Sequence, residues 1–293
     1  MSDKYTVTKS FKVVVDGVVL GGRFAESNFD INTGNPTIVA IHGGTYTSAY
    51  FDVPGHSLMD NAIQNGFNII AIDRPGYGVS TPLEDAPDLI QKNAEHLNNL
   101  LPAVLRELGF AGDPVFLIGH SIGGAIVISM AALRPAWKLS GIAVSGVGIK
   151  TPPADAENYA HLPQQYFVEL PTPMKDVVMF GPPETVPPDM PAASYIANTT
   201  VPRSELTDIT GGFGERLASL AANVQVPLHY RQGAHEKLWL VSEKMIQDFG
   251  KLFSSAGKVD VGLVSDSGHC IDFHKCGKKF QMEQLAFAAQ LKT

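Results

Sequence analysis

The sequence predicts an α/β fold, a mostly parallel sheet flanked by helices on both faces and carrying an inserted lid or cap. Three observations carry that expectation. Apolar runs of strand length alternate with segments of helical periodicity, and such alternation implies right-handed crossovers and parallel pairing. Several of the runs are apolar throughout, as strands covered on both faces are. The alternation then stops between residues 150 and 223, where prolines crowd from Pro152 to Pro202, and resumes afterwards. Residues 1–149 and 224–293 are therefore read as the core and 150–223 as the insertion.

The elements follow in order. Segments 11–15 and 18–24 are extended and meet at Asp16-Gly17, a hairpin signal. The run 36–41 is a buried strand ending in His42-Gly43-Gly44-Thr45-Tyr46. A helix over 57–65 leads to a strand at 67–72, which ends in Asp73-Arg74-Pro75-Gly76-Tyr77-Gly78. Leu89, Ala94, Leu97, Leu101, Val104 and Leu108 recur at helical spacing, with Pro102 predicting a kink. Strand 114–118 and helix 124–133 flank Gly119-His120-Ser121-Ile122-Gly123, and 139–147 is the next strand. Between residues 150 and 223 the prolines leave room for short helices only. A strand at 226–232, a helix at 241–252, a strand at 259–264 and a helix at 282–291 complete the chain.

Composition narrows the function. With 293 residues, 44% hydrophobic and 17% charged, the chain suits one substantial core plus an insertion. A formal net charge of -7 without long like-charge runs points away from nucleic acid and anionic membranes. No apolar stretch is long enough to span a bilayer. Residues 1–5 lack the apolar core of a signal peptide, and 291–293 are not a peroxisomal tripeptide. Two cysteines, Cys270 and Cys276, make no disulfide scaffold, so a reducing, cytoplasmic setting is expected. His269, Cys270, His274 and Cys276 bunch together, but their spacing does not match a zinc site, and no metal is expected.

The chemistry centres on G-x-S-x-G between a strand and a helix. In that context the serine sits on a strained turn with its hydroxyl projecting above the sheet edge, which marks Ser121 as a candidate nucleophile. With His42-Gly43-Gly44, the Asp73–Gly78 turn and Asp266-Ser267-Gly268-His269, each at a strand end, the chain resembles the α/β-hydrolase superfamily across nearly its whole length. The resemblance implies a base in the loop after the last strand, which is His269. It implies an acid after the strand at 226–232. Glu236 stands there instead of the commoner aspartate, with Asp266 the alternative and Asp248 a more remote one. Backbone N–H donors for an oxyanion are implied at Ile122 and Gly44, with Thr45 next. Tyr46, Tyr166, Phe180 and Trp239 are candidate substrate contacts, while His42 and His120 are read as structural.

The expected activity is cofactor-independent hydrolysis of an ester, thioester or lactone of a small apolar substrate by a monomer or homodimer. Segments 41–46, 74–78 and 119–124 resemble hydrolases of fungal secondary metabolism, which implies a polyketide-like substrate. Acyl transfer, C–C bond hydrolysis or lyase chemistry on the same residues, and a non-catalytic receptor, are the alternatives.

Overall fold

Asp16 and Gly17 both take positive φ, 50° and 81°, the geometry of a two-residue turn whose twist matches the strands it joins. They link β1 (Lys9–Val15) to β2 (Val18–Ala25), with Val15 opposite Val18. The computed structural model describes residues 8–27 and 34–291. The terminal residues 1–5 and 292–293 that were read for targeting lie outside them.

The strands β3 (Thr37–Ile41), β4 (Ile69–Asp73), β5 (Val115–His120) and β6 (Leu139–Ser145) form the middle of the sheet. Two short strands, β7 (Phe167–Val168) and β8 (Val201–Pro202), pair with each other, and β9 (Leu228–Gly233) and β10 (Val259–Val264) complete the main sheet. Its eight strands run in the order β1-β2-β4-β3-β5-β6-β9-β10. Within this sheet the pairs from β4 to β10 are parallel, and β1–β2 and β2–β4 are antiparallel.

The helices in chain order are α1 (Leu58–Gln64), α2 (Leu89–Glu107), α3 (Ile122–Ala132), α4 (Pro153–Ala160), α5 (Thr172–Met179), α6 (Arg203–Thr210), α7 (Gly212–Asn223), α8 (Glu243–Leu252) and α9 (Gly277–Ala289). Side chains alternate across a strand, and here they feed two cores. Val39, Ile41, Ile70 and Ile72 pack with α2 and α3 on one face. Ile38, Ala40, Ile69 and Ala71 pack with α1 and α9 on the other. Each buried Val or Ile contributes about 1.5–3 kcal/mol, so the carboxyl ends of β3 and β4 are firmly placed.

Helix α2 runs through Pro102 without ending there. A proline has no N–H for the carbonyl four residues back, and that carbonyl, Asn98, instead accepts the Trp137 indole N–H at 3.3 Å. Between β6 and β9 the short-helix expectation fails at α7, which spans 12 residues. The prolines stop at Pro202, and Phe213, Leu217 and Ala221 pack into the core beside α3. Helix α9 starts earlier than residue 282 because Gly277 fits against the Asp272 carbonyl, where a Cβ would stand 2.0 Å away. No helix among the described residues is long and apolar enough to cross a membrane.

Candidate active site

Ser121 joins β5 to α3 with φ 56° and ψ -127°, a conformation that costs a non-glycine residue about 1–3 kcal/mol and recurs at functional sites. The two motif glycines make the turn possible. A Cβ on Gly119 would lie 2.6 Å from the Gly123 carbonyl, and one on Gly123 would lie 2.1 Å from the Ile41 carbonyl. The elbow therefore closes against the end of β3. Ile122 opens α3, so its N–H has no acceptor within the helix.

His269 and Glu236 come together from the loops after β10 and β9. His269 Nδ1 donates to Glu236 Oε2 at 2.7 Å, and both side chains are fully buried. Burying a carboxylate requires donors in place of water. Glu236 has three more: the N–H groups of Lys237 and Leu238 on Oε1, each at 2.9 Å, and Gln232 Nε2 on Oε2 at 3.1 Å. With its proton on Nδ1, the ring presents an unprotonated Nε2, which is buried and has no hydrogen-bond partner among the described residues. Asp266 is exposed and bonded to Ser265, while Asp248 pairs with Lys244 and Lys251 on α8. Neither reaches the ring.

The imidazole stands close to the elbow. Its centroid lies 4.9 Å from that of His120, and a Cβ on Gly146 would be 2.8 Å from His120 Cε1 and 3.0 Å from His269 Cε1. His120 itself stacks on Tyr50 and bonds Ser145 Oγ at 3.2 Å. Burial, then the neighbouring His269 and His42, hold it well below the usual imidazole range.

Ser121 opens into a cleft of about 480 Å³, mouth included, shared with Gly44, Thr45 and Ile122. Thr45 has φ 63° and is 2% exposed, and its hydroxyl has no hydrogen-bond partner among the described residues. The opposite wall is apolar: Leu170 and Met179, then Leu206 and Ile209 of α6, then Leu238 and Trp239. Thr151, Tyr159 and Thr210 add hydroxyls. Trp239 is fixed by its indole N–H on the Gly146 carbonyl at 2.9 Å.

The other three candidate contacts are not among the residues of this wall. Tyr46 is 1% exposed and packs against Tyr50 and Phe273. Tyr166 turns its hydroxyl onto the Leu83 carbonyl at 2.7 Å. Phe180 stacks near Phe273 and His274. Residue type suggested them, and type does not reveal which way a side chain faces. Leu206, Ile209 and Thr210 escaped the sequence reading, although their i, i+3, i+4 spacing marks one helix face. The His/Cys cluster is dispersed as well. His274 Nδ1 donates to the Cys270 carbonyl at 2.9 Å, and its Nε2 accepts the N–H groups of Gly181 and Gly268, each at 3.0 Å. Cys270 is buried against Tyr46 and His120, which pushes its thiol upward.

Known proteins resemble this chain in sequence and in fold. The chain is 29% identical over 151 residues, 51% of its length, to the proline iminopeptidase of Saccharolobus solfataricus, covering 44% of that protein. It is 30% identical over 118 residues, 40% of its length, to the monoglyceride lipase of Saccharomyces cerevisiae, covering 36% of that protein. The matches thus span less than half the length of these curated relatives. Among solved structures, an esterase from Thermogutta terrifontis superposes with a TM-score of 0.70 at 15% identity, over 97% of this chain and 100% of that one. A soluble variant of the Saccharomyces cerevisiae lipase gives 0.70 at 17%, over 100% and 98%. The sequence profile of the alpha/beta hydrolase family matches residues 38–275, from the strand before Gly44 to beyond His269, and the chain belongs to that family.

Proposed function

We propose that this chain is a serine hydrolase that cleaves an ester, thioester or lactone of a small apolar substrate through an acyl-enzyme on Ser121. The observation that carries the reading is the buried Glu236–His269 pair, with His269 Nε2 left open beside the elbow. Ser121 Oγ attacks the carbonyl carbon while His269 Nε2 takes its proton, and Glu236 stabilises the imidazolium that forms. The carbonyl oxygen becomes an oxyanion and accepts the N–H groups of Gly44 and Ile122. As the tetrahedral centre collapses, the bond to the leaving oxygen or sulfur breaks and His269 returns the proton to it. Water then attacks the acyl-enzyme, giving its proton to His269, and the carboxylic acid leaves as the proton returns to Ser121.

The apolar wall supports an acyl group of hydrocarbon character, including a polyketide-like one, under a cap formed by residues 150–223. The relatives named above, a lipase and an esterase among them, support ester chemistry. Two unpaired cysteines agree with a cytoplasmic setting, and the steps call on one chain and no cofactor.

Hydrolysis of p-nitrophenyl esters from acetate to octanoate, by wild type and Ser121→Ala, tests the reading. The wild type is expected to turn over the series with an optimum set by the wall, and Ser121→Ala to lose about 10⁶-fold in kcat. Turnover that survives the substitution would contradict the acyl-enzyme. A fluorophosphonate adduct on Ser121 without ester turnover would redirect the reading to acyl transfer or C–C cleavage. Neither adduct nor turnover would favour a receptor.

A further inference from the structure

The turn Asp73-Arg74-Pro75-Gly76-Tyr77-Gly78 and a carboxylate of the inserted segment meet directly behind the Gly43-Gly44 turn. Arg74 is fully buried. Its guanidinium donates to both carboxylate oxygens of Glu205 on α6, and Glu205 also accepts the Tyr77 hydroxyl at 2.7 Å. Two further guanidinium N–H groups face the turn: Nε donates to the His42 carbonyl at 2.9 Å and Nη2 to the Gly43 carbonyl at 3.1 Å. A second donor reaches the same Gly43 carbonyl, His42 Nδ1 at 2.7 Å. His42 Nε2 in turn accepts the Arg74 backbone N–H at 3.2 Å, so the neutral tautomer with its proton on Nδ1 satisfies both bonds.

The Gly43 carbonyl and the Gly44 N–H belong to one peptide unit. It is trans, since the cis bond among the described residues is Met190-Pro191. In a planar trans peptide the carbonyl and the N–H point in opposite directions. Two donors hold the carbonyl on the Arg74 side, which turns the Gly44 N–H the other way, and Gly44 lines the cleft with Ser121. The turn's own covalent structure imposes no such choice, because successive glycines have the widest backbone freedom. A flipped peptide would aim a carbonyl oxygen at the developing oxyanion.

We propose that Arg74 and Glu205 are positioning residues that hold the peptide between Gly43 and Gly44 in its donor orientation, so that the inserted segment completes the oxyanion site. The inference rests on the serine-hydrolase reading. Glu205 is essential to it because a buried guanidinium needs a carboxylate to stay in place.

Removing one charge alone would leave the other buried and unpaired, so the test uses variants that avoid this. Arg74→Lys keeps a cation for Glu205 but loses the fork that also serves Gly43. The triple variant Arg74→Met/Glu205→Leu/Tyr77→Phe removes the charges together. Arg216→Gln, which takes the partly exposed cation from the buried Asp208 but leaves it the Ile90 N–H, deliberately disturbs α6 away from Glu205 and is the control for general damage to that helix. Thermal melting, kcat and KM on a p-nitrophenyl ester, and inhibition by a trifluoromethyl ketone of matching chain length are measured for each. The ketone binds as a hemiketal whose oxygen needs the oxyanion donors, whereas KM reports the cleft.

Folded Arg74→Lys and triple variants are expected to lose about 10²–10³-fold in kcat, and a similar factor in ketone affinity, with KM nearly unchanged. Arg216→Gln should match the wild type. The proposal is overturned if both folded variants keep kcat and ketone affinity within about threefold of wild type. A rise in KM that equals the loss of ketone affinity overturns it too, because that pattern means general disruption of the cleft. A wild type that neither turns over esters nor labels at Ser121 overturns the hydrolase reading and this inference together.

Discussion

Glu236 and Glu205 are both fully buried carboxylates, and the protein solvates them by opposite means. Glu205 faces the permanent cation of Arg74 and the Tyr77 hydroxyl. Glu236 faces no Lys or Arg side chain among the described residues: its donors are two backbone N–H groups, the Gln232 amide and the His269 ring. Neutral donors replace lost water without cancelling charge, whereas a guanidinium cancels it. A carboxylate that is to stabilise an imidazolium present only during turnover must keep its charge available. One that holds a turn in place is better paired outright. On the proposed reading, the difference separates a group that acts through its field from one that acts through its geometry.

The largest expected effect breaks the first of these. Glu236→Gln preserves shape but removes the negative charge, and kcat on p-nitrophenyl butyrate should fall by about 10⁴-fold. Its thermal stability should change little beside that of Glu205→Gln. The latter leaves Arg74 uncompensated and is expected to cost about 3–5 kcal/mol in urea unfolding. Equal stability losses in the two variants would erase the distinction.

Lys175 sharpens the comparison from the other side. It is 3% exposed, bonded to Asn198 and 4.1 Å from the Tyr46 ring centroid, with no carboxylate of the described residues in ion-pair contact. Burial pulls its ammonium down from 10.5 to about 8. Between those values the unfolded chain binds more protons than the folded one, so stability rises with pH. Wild type should therefore gain stability relative to Lys175→Met as pH climbs from 7 to 10, read from paired melting curves. A flat difference would contradict that. Arg74, whose pKa is raised because Glu205 outweighs its burial, should show no such trend. The smallest effect is expected at Arg216→Gln, about 1 kcal/mol below wild type, since Arg216 is 32% exposed although Asp208 is buried, and Asp208 keeps the Ile90 N–H at 3.0 Å.

Much of this was legible in the sequence, for physical reasons. The Gly119–Gly123 elbow announces itself because its contacts are local and its two glycines answer to clashes within a few residues. The Asp16-Gly17 hairpin is equally local. His269 and Glu236 are 33 positions apart but sit at the ends of neighbouring strands, so the order of elements points to both. The clamp on Gly43 stayed hidden because Arg74 and Glu205 are 131 positions apart, and a lone Glu between helices carries no sign of burial. That Tyr46 and Phe180 pack in a core cluster was not legible for the converse reason: an aromatic residue is suited to a cleft wall and to a core alike. The length of α7 was missed because proline density was averaged over a segment whose last twenty or so residues hold none.

The most direct test of the central claim is intact-mass analysis of the wild type during titration with a fluorophosphonate, with the adduct mapped by peptide sequencing and p-nitrophenyl butyrate hydrolysis followed in parallel. The account predicts one adduct per chain, on Ser121, with activity lost in proportion to labelling and labelling much slower in Glu236→Gln. Hydrolysis that persists in fully labelled protein, or an adduct on any other residue, would contradict it.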